Sequence, residues 1–137
     1  MREIKFRGIS IETNKFVYGS LVIPDAGSDS AYIYNADAVQ YTGELAHYEV
    51  YPDSVGQYTG LKDKNGVEIY EGDLLTHTVQ EYHERAGQVF TNQVEYYNGN
   101  VCGWRIRNKS FHKKLTETWL FNQGAKVTGN IHENKLK

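Results

Sequence analysis

Three acidic side chains near the middle of the chain are the first residues whose types suggest chemistry: Glu68, Glu71 and Asp73. Neighbouring carboxylates can exchange protons with a substrate or hold a divalent ion. In a strand, however, Glu68 and Glu71 point to opposite faces. The group also straddles a turn, and its spacing is not that of a metal-binding loop. We therefore expect these acids to cap a corner of the chain and to remain solvated.

The histidines and the single cysteine form no recognisable metal or nucleophile motif. No two histidines have the four-residue helical spacing of a zinc protease, and one cysteine cannot form a thiolate zinc site. His77 and His83 share a face only if their strand is unbroken. We therefore expect them to be surface or interface histidines and not a metal site. Cys102 has no base beside it in the sequence, and we expect it to be buried and inert. The glycines match no phosphate-binding loop, and no cofactor is expected.

The stretch WRIRNKSFHKK, from Trp104 to Lys114, is the most suggestive of binding. Alternation along a strand places Arg105 and Arg107 on one face, with Trp104 and Ile106 on the other. Basic side chains beside exposed aromatic rings can follow a nucleic-acid backbone and stack on bases. The alternatives are a solvated basic edge that prevents edge-to-edge strand pairing, or a face for a protein partner. The candidate nucleic-acid contacts are Trp104, Arg105, Arg107, Lys109, Lys113 and Lys114.

Tyrosine is unusually frequent, with 11 residues in a chain of 137, and it crowds the middle of the N-terminal half. Tyrosine is enriched at protein interfaces, because its ring packs while its hydroxyl meets water. We therefore expect self-association through this half, with packing between subdomains as the alternative. The candidate residues are Tyr32, Tyr34, Tyr41, Tyr48 and Tyr51.

Composition limits the classes of protein that fit. The net charge of -2 argues against coating nucleic acid by charge alone, although a local basic face remains compatible with it. A single cysteine excludes an intrachain disulfide and fits a reducing cytoplasm. The charged N-terminus, MREIKFRG, is followed by no long apolar segment, so we expect neither a secretory signal nor a membrane span.

Most of the chain alternates with a period of two, which is typical of strands. We expect a hairpin from about Ile4 to Ile23, a loop at residues 24–30 and a short strand at residues 31–34. Residues 38–43 (AVQYTG) and 47–51 (HYEVY) are interpreted as short strands, with a helical turn as the alternative.

Turn signals recur along the rest of the chain at the spacing of a barrel or a sandwich. Asn65-Gly66 is predicted to close a type I′ hairpin, since both residues tolerate a positive φ. Gly72 is predicted to bend the chain into a new strand, with the Asp73 carboxylate binding nearby backbone amides. Another hairpin turn is expected at residues 98–100.

Residues 110–121 (SFHKKLTETWLF) are the one segment with a helical spacing of apolar residues. We nevertheless interpret the segment as strand, because Thr116, Thr118 and Trp119 favour strands. The fold class that these patterns predict is all-β.

Three segments together resemble the YopX family of phage and prophage proteins. They are REIKFRG followed by FVYGSL, then VGQYTGLKDKNGVEIYEGDLL (Val55–Leu75), and the ending VTGNIHEN. They follow the family's order, and the middle one is the most specific. The resemblance implies an all-β protein with a small SH3-like barrel at residues 55–137 and an N-terminal β subdomain, residues 1–54, packed on it. It also implies a phage or prophage origin, and it brings no catalytic residue with it.

These observations predict a non-enzymatic accessory protein that acts by binding in the host cytoplasm and self-associates. Its further partner would be a phage or host protein. The alternative is a nucleic-acid-binding barrel that uses the stretch Trp104–Lys114. An enzyme is the third hypothesis, and it would need a pocket of clustered acids or histidines.

Overall fold

The computed structural model of the chain describes residues 2–25, 29–37, 39–80, 84–99 and 102–133. Within these ranges the chain forms eleven strands, two short α-helices and one 3₁₀ turn, so the all-β prediction is confirmed. Two compact units are present. The first runs to Tyr58 and resumes at His132, and the second is Thr59–Ile131. The SH3-like geometry of the C-terminal part stays a prediction.

The first unit is built on one antiparallel sheet. Its elements are β1 (Phe6–Ile9), β2 (Phe16–Val22), β3 (Ala31–Asn35), α1 (Val39–Thr42), β4 (Ala46–Val50) and a 3₁₀ turn at Pro52–Ser54. The strands are ordered β4-β3-β2-β1, and Ser10, just after β1, also forms an antiparallel bridge with Val50 at the end of β4. The core cluster of this sheet consists of Ala31, Ile33 and Val50, with Phe6, Val17, Leu21 and Val55 packed against it.

Strands β1 and β2 form the predicted N-terminal hairpin, with Ile9 opposite Phe16. Its turn passes through Asn14, whose φ of 56° lies in the left-handed region that asparagine tolerates better than most residues. Gly19 of β2 lies so close to the next strand that an added Cβ would overlap the carbonyl oxygen of Tyr34. The glycine is therefore required by close approach of the two backbones.

Residues 39–42 form a helical turn, so the strand interpretation of the AVQYTG segment is wrong there. The Gly43 N–H donates to the Val39 carbonyl at 2.7 Å, and Gly43 has a φ of 76°. A glycine in this conformation ends a helical turn. The following HYEVY segment is a strand, as predicted.

The second unit contains most of the remaining strands. Its elements are the second half of β5 (Gly56–Lys62), β6 (Glu68–Tyr70), β7 (Asp73–Thr78), β8 (Val89–Asn98), β9 (Cys102–Arg107), β10 (His112–Lys114), α2 (Glu117–Gln123) and β11 (Lys126–Asn130). An antiparallel sheet runs in the order β10-β9-β8-β7-β11. The buried cluster against it consists of Ile69, Leu75, Val94, Ile106, Leu115, Leu120 and Ala125.

The hairpin between β5 and β6 closes where predicted, but the predicted type I′ turn is wrong. Gly66 has a φ of 79°, whereas Asn65 is not in the positive-φ region. The Gly66 N–H donates to the Asp63 carbonyl at 3.0 Å, and the Asp63 N–H donates to the Val67 carbonyl at 2.9 Å. This is a three-residue loop with a glycine bulge. The Asp63 carboxylate favours it, because Oδ1 accepts from the N–H groups of Asn65 and Val67 at 2.8 and 2.9 Å.

The corner at Gly72 and Asp73 is held by a side chain. Gly72 has a φ of 91°, and the Asp73 Oδ2 accepts from the Tyr70 N–H at 2.8 Å. Asp73 is 2% exposed, so the carboxylate satisfies a backbone donor that water cannot reach easily. The sequence assigned both residues this structural role, but the expectation that the Asp73 carboxylate stays solvated is wrong, because the corner is buried.

Helix α2 overturns part of the strand interpretation of residues 110–121. Residues His112–Lys114 are a strand, but Glu117–Gln123 is a helix. Thr116 caps its N-terminus by accepting from the Trp119 N–H at 3.0 Å, and Gly124 ends it with a φ of 58°. These caps and the burial of Leu120 outweigh the strand propensity of the segment.

Candidate functional site

One face of the β8–β9–β10 sheet collects several of the predicted nucleic-acid contacts. In the strand register, Arg105 lies opposite Glu95 of β8 and opposite Lys114 of β10. Arg107 lies opposite His112 of β10. Directly opposite residues share a face, so these five side chains form one polar surface, which we call the arginine face.

Glu95 compensates part of the positive charge on the arginine face, and the sequence analysis did not predict this role of Glu95. The Arg105 Nε donates to Glu95 Oε1, and the Arg107 Nε donates to Oε2 at 3.2 Å. The Arg105 guanidinium also lies over the ring of Tyr97, 4.2 Å from its centroid. The alternation of Glu95 and Tyr97 in β8 places both on one face. It identifies them as partners of the arginines only once the β8–β9 register is known.

The other predicted contacts are placed elsewhere. Lys113 lies opposite the buried Ile106, on the face away from the arginines. Trp104 shares that face and packs edge-on against Tyr96, with 5.3 Å between ring centroids. Lys109 is exposed in the turn after β9. The arginine face therefore has Tyr97, and not Trp104, as its aromatic residue.

Cys102 is exposed, so the prediction of a buried cysteine is wrong. It is the first residue of β9 and lies opposite Asn98, at the end of the hairpin that the sequence predicted. The strands extend past the core at this point, which leaves Cys102 uncovered. Its Sγ donates to Asn98 Oδ1 at 3.0 Å. It lines a cavity of about 270 Å³ together with Tyr97 and Arg105.

His77 is 5% exposed, so the expectation of a surface histidine is wrong at this position. Alternation along β7 directs it inward in register with Leu75, and its ring stacks on Phe90 with 5.6 Å between centroids. Desolvation by burial, and secondly the charge of Lys113, lower the pKa of His77 below its usual value of 6.5. His83 lies outside the described residues.

The acidic side chains of Glu68 and Asp73 bind groups in the corner of the chain around Gly72. Asp73 binds the Tyr70 amide, and the Tyr70 hydroxyl donates to Glu68 Oε1 at 3.4 Å. Within the described ranges, no group of three His, Cys, Asp or Glu side chains is placed to hold a metal ion.

The tyrosines of the N-terminal half divide between two sides of the first unit. Tyr32 and Tyr34 point to the same side of β3, and the Tyr34 ring stacks on His47 with 5.4 Å between centroids. Tyr41, on α1, is 83% exposed. Tyr32 and Tyr34 are half-buried, so Tyr41 is the exposed residue of these three.

Tyr48 and Tyr51 are less accessible than Tyr41. Tyr48 lies opposite the buried Ile33, so it faces the core side of β4 and is half-buried. Tyr51 is half-buried beside the 3₁₀ turn. The predicted self-association set therefore does not form a single surface.

A groove of about 580 Å³, lined by apolar and polar residues, lies on the first unit, and we call it the N-terminal groove. Four of its apolar or aromatic side chains are 42–60% exposed. Sequence reasoning found only Tyr34 among its members, because exposure depends on which strands and loops cover the sheet. The apolar and aromatic residues that line it are Ile4, Tyr18, Val22, Tyr34, Ala36 and Leu45, and its charged residues are Glu3, Lys5 and Asp37.

No helix within the described part of the chain is long and apolar enough to span a bilayer.

The strands, sheets and surfaces define a small all-β protein made of two β-rich units. The family model described as YopX protein matches residues 5–136, and the chain belongs to the YopX family. The crystal structure of protein EF1440 from Enterococcus faecalis is similar, with a TM-score of 0.53 and 22% sequence identity. The likeness covers 98% of this chain and 96% of that one, and it shows the fold. The comparison with curated proteins gives no significant match.

Proposed function

We propose that this chain is a non-enzymatic accessory protein of a phage or prophage, and that it self-associates through the N-terminal groove in the host cytoplasm. The supporting observation is the groove itself. Ile4, Tyr18, Val22 and Leu45 are exposed by 60%, 42%, 42% and 51% around one depression. Soluble monomers rarely leave such clusters uncovered, and exposed apolar clusters commonly mark protein interfaces.

An open strand edge beside the groove favours a second copy as the occupant. Strand β4 is the last strand of its sheet. Its outer side is bonded near its end, where the Ile11 N–H donates to the Glu49 carbonyl at 3.0 Å. The described residues place no strand against Ala46–Tyr48 on that side. Leu45 of the groove directly precedes this edge. Two identical edges can pair about a twofold axis and cover both grooves.

Light scattering over a range of protein concentrations tests this proposal. We expect a molar mass above that of one chain, rising with concentration toward a dimer. The mass of one chain at every concentration would contradict self-association.

A second candidate function is nucleic-acid binding through the arginine face. Arg105, Arg107 and Lys114 share this face with the ring of Tyr97, a combination that suits phosphates and stacked bases. The position of Glu95 argues against nucleic-acid binding, because its carboxylate already accepts hydrogen bonds from both arginines.

Glu95 allows a sharp test of this candidate. We expect Glu95→Gln to increase retention on single-stranded DNA at low salt, because both guanidinium groups are then released to phosphates. The double variant Arg105→Glu/Arg107→Glu should abolish retention. If neither change alters retention, the arginine face does not bind nucleic acid.

A further inference from the structure

A second cavity in the Thr59–Ile131 unit surrounds the buried His77. It encloses about 410 Å³, which is within the range of small-molecule sites. Its lining includes His77, Phe90, Phe111 and Lys113. This cavity is separate from the proposed self-association site, since the residues of the N-terminal groove belong to the other unit.

Aromatic rings hold the imidazole on several sides. His77 stacks on Phe90, meets Trp119 edge-on with 5.1 Å between centroids, and lies 6.4 Å from Phe111. Phe90 and Phe111 are themselves 5.6 Å apart. The walls of this part of the cavity are therefore flat and apolar, and they suit a flat ligand.

A buried hydrogen-bond network fixes which nitrogen of His77 carries the proton. The Asn92 side-chain amide donates to the Leu75 carbonyl at 2.9 Å and lies 2.9 Å from His77 Nδ1. Asn92 Oδ1 accepts from Asn108 Nδ2 at 2.7 Å, so the amide nitrogen of Asn92 is the group that faces His77. Nδ1 must then accept, and the proton of the neutral ring lies on Nε2.

The same network leaves Nε2 available to a ligand. Among the described residues, no hydrogen bond is made to Nε2 of His77. His77 as a whole is 5% exposed, but among the described residues its Nε2 is not one of the buried side-chain atoms without a partner, so this N–H is reached from the cavity. The second asparagine also holds the cavity wall, because Asn108 Oδ1 accepts from the Phe111 N–H at 3.0 Å.

The charged side chains of the cavity determine which ligand charge is favoured. Lys113 is the cation of the lining whose charge reaches His77 and lowers the pKa of that residue, and Glu84 and Arg85 also line the cavity. The Lys113 Nζ lies 5.2 Å from the centre of the Phe111 ring, beside the aromatic walls. An anionic group would be favoured here and a cationic group disfavoured.

We propose that this cavity binds a small planar aromatic ring that carries one anionic group. The ring packs against Phe90 and Phe111, the Nε2–H of His77 donates to the ligand, and Lys113 pairs with its charge. The anionic group is a carboxylate or a phosphate, which share this chemistry.

Titrations of the full chain with benzoate and with phenyl phosphate test the proposal. The readout is the Nε2 resonance of His77 in histidine-labelled protein, followed by NMR up to about 20 mM probe, where ligands of this size begin to bind. We expect either probe to move this resonance in a saturable way, and their relative affinities identify the preferred anion. Benzamide and cyclohexanecarboxylate, which lack the charge or the aromatic ring, should bind several-fold more weakly.

Strand β10 supplies a matched pair of variants. Lys113 and Lys114 are adjacent and exposed but lie on opposite faces of the sheet, since they pair with Ile106 and Arg105 respectively. We expect Lys113→Gln to weaken binding of the better probe about fivefold, and Lys114→Gln to leave it unchanged. The proposal is overturned if neither probe moves the His77 resonance, if the two variants act alike, or if the neutral or non-aromatic compounds bind equally well.

Discussion

At the scale of single residues, burial and strand register give polar side chains roles that their types alone do not reveal. His77 is a neutral ring inside an aromatic cluster, and Glu95 is the common acceptor of two arginines. Asp63 and Asp73 are carboxylates that bind backbone amides. The sequence indicated the Asp73 role because it is local, but the partners of His77 and Glu95 come from other strands.

The burial of His77 predicts a pH dependence of stability. Its folded pKa is lowered, so the unfolded chain binds the proton first as the pH falls. The stabilisation is complete above the unfolded value near 6.5 and is lost as the pH falls toward the folded pKa. We expect the free energy of unfolding to be lower at about pH 5.5 than at about pH 7.5.

Urea denaturation at both pH values measures this effect. The difference between the two pH values should be smaller in His77→Gln than in the unsubstituted chain. A difference of unchanged size would show that other groups, and not His77, are responsible.

At the scale of elements, local turn and cap signals account for much of what the sequence could predict. The β1–β2 hairpin turns at Asn14 and the β5–β6 hairpin at Asn65-Gly66, between alternating segments. The β8–β9 pairing ends with Asn98 opposite Cys102, and Asn100 of the predicted turn lies outside the described residues.

Helix α2 was missed because strand propensity was given more weight than the helical spacing of apolar residues, and its caps, Thr116 and Gly124, were not considered. The turn type at Gly66 was missed because it depends on the Asp63 side chain.

Asp63 joins the β5–β6 hairpin to β11 and provides a test at this scale. In addition to its turn contacts, Oδ2 accepts from the Val127 N–H at 2.9 Å, and the residue is 7% exposed. We expect Asp63→Ala to lower the free energy of unfolding by about 2–4 kcal/mol, since it leaves several backbone donors without acceptors. Thermal or urea unfolding measures the loss.

The matched control is Asp25→Ala, which changes an exposed aspartate outside the strands and outside the N-terminal groove. It should alter stability by no more than about 0.5 kcal/mol. Equal losses in the two variants would contradict the role given to Asp63.

At the scale of the whole molecule, the all-β class and the family follow from the pattern of strands and from three specific segments. The binding surfaces do not follow from the sequence in the same way. The N-terminal groove takes residues from β2, β3 and the segments before β1 and β4, so its exposure is set by tertiary packing. The five tyrosines lie in the half of the chain that this proposal uses, but only Tyr34 of them lines the groove.

The central claim is self-association through the N-terminal groove, and sedimentation velocity of two charge variants tests it most directly. Leu45→Glu places a charge in the groove, whereas Phe121→Glu changes an 86% exposed aromatic residue in the other unit. We predict that the unsubstituted chain and Phe121→Glu sediment as oligomers, while Leu45→Glu sediments as a monomer. The account is contradicted if all three sediment alike, or if Phe121→Glu alone dissociates the oligomer.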